Sequence, residues 1–325
     1  MGKHTDSVMT DLAFVFPGQG AQKVGMGFDL SSNFAEANAV FEEANSILNW
    51  DLSNLCFNGP IEDLTRTENT QLAILTCSVA SLRVVQSFGI SAKIVAGHSL
   101  GEYAALIAAE VVDFDSALRL VQFRSKFMAE SAAQTSGGMV AVIGLEDNKI
   151  ERICDQIDGV ISIANFNSPG QCIVSGETIL LDKSIPLAKS AGAKRVIPLP
   201  VSGAFHSDLM MSAQKQFGSV ICDYVFDEPK IDFVANVTGD FAKTGEKIKK
   251  LLVQQITNPV LWEKSVQLMK GDGISHFIEL GPGSVLSGLV RRIGNDSICF
   301  NVEDMKSLER TLNGTNTACN GTNTA

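Results

Sequence analysis

The segment Ile94-Val95-Ala96-Gly97-His98-Ser99-Leu100-Gly101-Glu102-Tyr103-Ala104-Ala105-Leu106 constrains the fold more than any other part of the chain. A short apolar run rich in β-branched residues ends at Gly97, and an alanine-rich stretch of helical character begins near Ser99. The serine is therefore expected where a strand turns sharply into a helix, the geometry of a nucleophile elbow. Such a turn brings strand and helix close together, which explains glycine at positions 97 and 101. It also lifts the hydroxyl out of the fold, over the positive end of the next helix, where developing negative charge is stabilised.

A strand feeding a helix in this way points to an α/β protein, and the flanking sequence agrees. Leu12 to Phe16 reads as another compact strand, followed by Pro17-Gly18-Gln19-Gly20-Ala21-Gln22. This G-x-G has no third glycine and no Gly-Lys-Ser/Thr ending, so it is a poor nucleotide fingerprint. It is either a plain turn or a loop whose free backbone N–H groups point into a site, as half of an oxyanion hole must. Phe34–Leu48 and Leu72–Phe88 carry helical spacing, and Asp113 or Asp115 caps a helix from about Phe114 to Ala132. On that helix Arg124 falls on the apolar stripe of Ala117, Leu120, Val121 and Met128. A core-facing arginine keeps its proton and must find an anion. That anion is either an internal carboxylate or the carboxylate of a substrate held in a bidentate fork, and the pattern by itself favours the internal one.

Between residues 135 and 200 the rhythm becomes strand, helix, strand, strand, helix, strand: Met139–Gly144, Asp147–Ile157, Val160–Ala164, Gln171–Ser175, Ile179–Ala191 and Lys194–Leu199. This βαββαβ order is that of a ferredoxin-like unit and suggests an inserted subdomain. The chain then passes Gly203-Ala204-Phe205-His206-Ser207, a loop-like stretch placed to face a cleft between the two parts. Residues 1–10 are a short polar lead-in. Residues 311–325, where Asn-Gly-Thr-Asn-Thr-Ala repeats, look like low-complexity sequence with no core to join. Both ends are expected to be disordered.

Composition excludes several classes of function. With 45% hydrophobic and 19% charged residues the 325-residue chain is a folded globular protein, and its formal charge of −10 argues against nucleic-acid binding. No apolar run approaches the ~20 residues needed to cross a bilayer. Seven cysteines, widely spaced and without a C-x-x-C pair, read as reduced thiols of a reducing compartment. The four histidines show no metal-ligand spacing, so no metal is expected.

Ser99 needs a general base, because a free hydroxyl is a poor nucleophile near neutral pH. His98 is its neighbour and should point away, and His4 lies in the lead-in. His276, within the alternating Ile274–Leu280, would give the order serine, acid, histidine, with Asp240 or Asp272 as the acid. His206 has no obvious acid and would need a backbone carbonyl or an amide to orient it. Residue chemistry leaves both open: an acyltransferase using His206, or a serine esterase or thioesterase using Ser99 and His276.

Taken jointly, Phe16–Gln22, Gly97–Glu102, Arg124 within a helix, Asn165-Phe166-Asn167-Ser168-Pro169-Gly170-Gln171, Gly203–Ser207, Gln255 before Asn258-Pro259-Val260, and Glu279-Leu280-Gly281-Pro282-Gly283 resemble the malonyl-CoA:acyl-carrier-protein transacylase family, collinearly over about residues 11–305. The resemblance implies an α/β-hydrolase-like domain with a parallel sheet (11–134 and 201–305) interrupted by the ferredoxin-like subdomain (135–200). It implies that Ser99 is the nucleophile and His206 its base, oriented by the main-chain carbonyl of Gln255. Gln19 and Leu100 would supply the oxyanion hole. Arg124 would bind the malonyl carboxylate, reversing the reading from pattern, and Phe205 would select malonyl over methylmalonyl. The reaction implied is malonyl transfer from malonyl-CoA to the phosphopantetheine thiol of acyl carrier protein, by a ping-pong route that supplies fatty acid synthesis. No cofactor is implied, and the enzyme is expected to be a monomer in the cytoplasm, plastid or mitochondrial matrix. Lys189, Lys194, Arg195, Arg291 and Arg292 are candidates for a basic patch that receives the acidic carrier protein. Leu72 departs from the family's Thr-Gln-Pro-Ala and is expected to affect only a helix start.

Overall fold

The computed structural model describes residues 11–321. Two sheets organise it. The larger is built from β1 (Leu12–Phe16), β2 (Ile94–Gly97), β7 (Asp232–Ala235), β8 (Asp240–Phe241), β9 (His276–Leu280) and β10 (Ile298–Val302), in the order β10-β9-β1-β2-β7-β8. Every neighbouring pair is parallel except β7 with β8. Parallel strands need both faces covered, and the alternation along β1 meets that requirement: Leu12, Phe14 and Phe16 enter one core while Ala13 and Val15 enter the other.

The smaller sheet holds β3 (Gly137–Ile143), β4 (Ile161–Ser168), β5 (Gln171–Glu177) and β6 (Arg195–Pro198), all antiparallel, in the order β4-β5-β3-β6. Helices Asp147–Asp155 and Thr178–Ser190 complete the expected βαββαβ order. Val140, Val142, Ile163 and Val174 pack with these helices in a core of their own. Met139 and Ile173 face the opposite way and line a cavity shared with the larger sheet. The period of two thus lets one strand serve a private core and a common cleft.

β4 runs on through Asn165-Phe166-Asn167-Ser168, beyond Ala164, where the strand is expected to end from the sequence. Its edge is held by the segment after Gln255: Phe166 N–H donates to the Val260 carbonyl at 2.9 Å, and Val260 N–H to the Ala164 carbonyl at 2.9 Å. A long-range pairing of this kind leaves no local signal.

The C-terminal expectation needs correcting. Residues 311–321 continue a helix that spans Met305–Gly321, while residues 1–10 and 322–325 lie outside the described residues. Leu308, Thr311 and Thr315 are buried. The threonines satisfy their hydroxyls within the helix, Thr311 on the Ser307 carbonyl at 2.9 Å and Thr315 on that of Thr311 at 3.0 Å. Gly314 sits where any side chain would strike the Phe300 ring. A polar repeat can therefore pack wherever its hydroxyls bond to its own backbone.

Candidate active site

Ser99 lies at the carboxyl end of β2 in a left-handed conformation, φ +51°. A Cβ on Gly97 would collide with the backbone of Gly101, and one on Gly101 with the backbone of Phe16, so only glycine permits this close passage. Asn236, just beyond β7, clamps the turn: its Oδ1 accepts from Ser99 N–H at 2.7 Å and its Nδ2 donates to the Gly97 carbonyl at 2.6 Å.

The imidazole of His206 is buried and 2.8 Å, through Nε2, from Ser99 Oγ. Its Nδ1 is 2.7 Å from the main-chain oxygen of Gln255. A carbonyl only accepts, so Nδ1 carries the hydrogen and Nε2 is left as the acceptor for the serine proton. The carbonyl is available because Gln255 ends the helix Gly245–Gln255, where the last turn's oxygens have no helical partner. Burial, and then the charge of Arg124, lower the His206 pKa to about 3, so the ring is neutral at physiological pH. His206 is itself left-handed, φ +59°. Two non-glycine residues in this sparsely populated region, facing each other, mark strain held at a functional site.

Arg124 is fully buried on the helix Phe114–Gln134. Among the described residues it has no carboxylate partner, which overturns the internal ion pair favoured by pattern. Its Nη1 donates to Gln71 Oε1 at 2.5 Å, and its Nη2 to Gln255 Oε1 at 2.9 Å and to Ser99 Oγ at 3.1 Å. Nε is buried without a partner, and the guanidinium lies 5.9 Å from the centre of the Tyr103 ring. A cation is thus held by neutral amides beside the Ser99 hydroxyl, an arrangement able to take an incoming anion.

Gln19 and Leu100 line the same cavity, of about 200 Å³, with Gly18, His98, Met128 and Phe205. Among the described residues no acceptor is paired with the main-chain N–H of Gln19 or of Leu100. Phe205 is buried beside His206 and forms part of the cavity wall.

His276 does not join this group. In the parallel register it pairs with Leu12, whereas Gly97, two residues before the serine, pairs with Phe16. Four residues along a strand separate the two ends by about 13 Å. His276 Nδ1 instead contacts Asp11 Oδ2 and Ser275 Oγ, each at 2.8 Å. Asp272 is engaged by Lys93, and Asp240 bonds the N–H of Phe241. The serine–His276 esterase reading therefore has no geometry behind it.

Three participants escape sequence reasoning. Gln71, in the second turn of the helix Thr67–Ser87, is a partner of Arg124, so the Thr70-Gln71-Leu72 segment reaches the site; the helix already starts at Thr67, which corrects the expectation that Leu72 affects a helix start. Asn236 has no motif around it. Glu102 is buried, with Oε1 accepting from Asn236 N–H at 2.6 Å and Oε2 bonded by Gln255 Nε2. Burial pushes its pKa up to about 8, opposed by those two bonds and by Arg124. A carboxylate inside an otherwise apolar helix start was the available signal. His98 turns away from the serine, its Nε2 2.9 Å from Asn167 Oδ1. Arg292 reaches Gln171 at the cavity's edge, and Arg291 donates to the Cys299 carbonyl at 2.8 Å.

A family model described as acyl transferase domain matches residues 13–312. The malonyl CoA-acyl carrier protein transacylase of Escherichia coli (strain K12) is 44% identical over 288 residues, 88% of this chain and 93% of that protein. Its counterpart in Bacillus subtilis (strain 168) is 38% identical over 304 residues, 93% of this chain and 96% of that protein. An acyl carrier protein S-malonyltransferase from Vibrio cholerae O1 biovar eltor str. N16961 superposes with a TM-score of 0.90 at 41% identity, covering 93% of this chain and all of that one (100%). A malonyl-transacylase solved with its type II PKS acyl-carrier protein, PlMCAT with AntF, gives a TM-score of 0.91 at 40% identity over 94% of this chain and 100% of that one. With sequence and fold agreeing from the first strand to the last helix, this chain belongs to the acyl transferase family and, within it, to the malonyl-CoA:acyl-carrier-protein transacylases.

Proposed function

We propose that the chain is an S-malonyltransferase that carries malonyl from malonyl-CoA to the phosphopantetheine thiol of acyl carrier protein through a malonyl-serine ester. The observation that carries the reading is that one buried guanidinium, without a carboxylate of its own, touches the same Ser99 Oγ that is hydrogen-bonded to His206.

In the first half-reaction His206 Nε2 takes the Ser99 proton as Oγ attacks the thioester carbon, and the N–H groups of Gln19 and Leu100 hold the oxyanion. Collapse breaks the carbon–sulfur bond, and the coenzyme A thiolate leaves with the proton from His206. The carrier protein's thiol then gives its proton to Nε2 and attacks the ester, and Ser99 regains its hydrogen as it departs. The substrate carboxylate lies on Arg124. It cancels the charge that helps to depress His206, so the imidazole becomes a better base when malonyl is bound. Phe205 limits space at the α-carbon. The chemistry as written asks for no cofactor.

The smaller sheet's strand order supports reading residues 135–200 as a ferredoxin-like insertion into an α/β-hydrolase-like domain of 11–134 and 201–305. Lys189, Lys194, Arg195, Arg291 and Arg292 are the proposed contacts for the acidic carrier protein, which meets a monomer in the cytoplasm. Initial rates measured against both substrates test the route. Parallel double-reciprocal lines are expected of a covalent intermediate, and intersecting lines would refute it.

A further inference from the structure

Glu102 has no role in the reaction just described, yet it is a buried carboxyl one side chain away from Arg124. We propose that Glu102 is a positioning residue: as a carboxylate it fixes the Gln255 amide so that Oε1 faces Arg124, and thereby sets the enzyme's preference for acyl groups that end in an acid. The inference rests on the functional reading above.

Donors and acceptors fix the orientation of the amide. Gln255 Nε2 faces acceptors only, Glu102 Oε2, the Ser99 carbonyl oxygen at 2.9 Å and, more distantly, Asn236 Oδ1 at 3.5 Å, so Oε1 is left for Arg124 Nη2 at 2.9 Å. Glu102 Oε1 is already taken by the N–H of Asn236. A carboxylate accepts at both oxygens and satisfies this arrangement completely. A protonated carboxyl, or a glutamine, presents a donor at one of the two. To meet a donor at Oε2 the Gln255 amide must turn over, which aims its NH2 at the guanidinium and takes from the Ser99 carbonyl one of its two donors, leaving only the Glu102 N–H at 3.1 Å. Two donors then face each other in a buried site, and Arg124 loses its seat. Glu102 also supplies the charge that Arg124 lacks by direct contact, relayed through an amide so that the guanidinium remains open to substrate.

The titratable groups around Glu102 do not blur this. Arg124, on the helix packed against it, stays protonated, and Tyr103, next on its own helix, has its pKa raised by burial. His206 titrates near 3, and the hydrogen-bonding neighbours Asn236 and Gln255 do not titrate. With its pKa pushed up to about 8, Glu102 changes form within an accessible range. Recognition of an acid should therefore strengthen as pH rises.

The test is acyl loading on Ser99, read by intact-protein mass spectrometry with malonyl-CoA and with acetyl-CoA from pH 6 to 9, for the wild type and Glu102→Gln. In the wild type the malonyl-to-acetyl ratio of loading rates should rise with pH. In Glu102→Gln the ratio should fall about tenfold and lose its pH dependence, malonyl loading losing far more than acetyl loading, as expected for a misdirected hydrogen bond to a charged group. A ratio that is flat with pH in the wild type, or equal loss of both acyl groups in the variant, overturns the inference. Failure of the wild type to load malonyl at all would instead remove the functional reading beneath it.

Discussion

His206 Nδ1 lies 2.7 Å from the Gln255 carbonyl, and the side chain of that same glutamine accepts from Arg124 at 2.9 Å. One residue at a helix end therefore orients the imidazole with its backbone and the guanidinium with its amide. The imidazole is thus aligned by a neutral carbonyl, where the order serine, acid, histidine would use a carboxylate.

Removal of the imidazole should slow acylation without emptying the site. For His206→Ala, stopped-flow release of coenzyme A from malonyl-CoA should fall by about 10²–10⁴-fold, the usual contribution of a positioned general base. His276→Ala should leave the rate within about twofold and cost some stability, since its ring bonds Asp11 and Ser275 at the far end of the sheet. A large rate loss in the His276 variant would contradict the assignment.

Arg124→Ala should separate acids from neutral acyl groups. Loss of a charge-assisted pair predicts malonyl loading reduced by roughly 10–100-fold more than acetyl loading. Arg124→Lys should recover only part of it, because an ammonium cannot span Gln71, Gln255 and the substrate together. Equal loss of both acyl groups would show that the arginine holds the fold and does not bind the acid.

Phe205→Ala should open the wall beside the reacting carbon and raise methylmalonyl loading relative to malonyl. The residue is buried, so a stability loss of about 3–5 kcal/mol is expected with it and is measured separately by urea unfolding. An unchanged ratio in a folded variant would free Phe205 of any part in selection.

Two buried groups should tilt stability against pH in opposite senses. His206 has its pKa lowered from 6.5 to about 3, so the unfolded chain binds the extra proton in that window and stability falls as pH drops below about 6.5. Glu102 has its pKa raised from 4.5 to about 8, so the folded chain binds the extra proton and stability falls as pH rises from 4.5 towards 8. The two offset each other between 4.5 and 6.5. From 6.5 to 8 only Glu102 acts, and Glu102→Gln should flatten the decline in urea midpoint there. His206→Asn should expose the Glu102 slope at lower pH. Midpoints that respond identically in both variants would contradict the assigned shifts.

The parts of this molecule that were legible in its sequence are those set by local physics. The elbow could be read because a strand, two glycines and a helix lie within a dozen residues, and the βαββαβ order because periodicity switches between two and 3.6. Choosing His206 over His276 from residue chemistry alone was not possible, since the decision rests on which end of a parallel sheet each reaches. Arg124 was visible as a charge on an apolar stripe, but its partners, Gln71 and Gln255, are neutral and come from helices distant in sequence. Asn236 and Glu102 act only through the fold. The last helix was missed because its threonines bury by bonding to their own backbone, against the trend of composition.

The most direct test of the account mixes the protein with malonyl-CoA in the absence of any acceptor and identifies the labelled peptide by mass spectrometry. A malonyl ester on Ser99, formed with stoichiometric release of coenzyme A and slowed by orders of magnitude in His206→Ala, is the predicted result. Free malonate with no lasting adduct, or a malonyl group found on another residue, would contradict it.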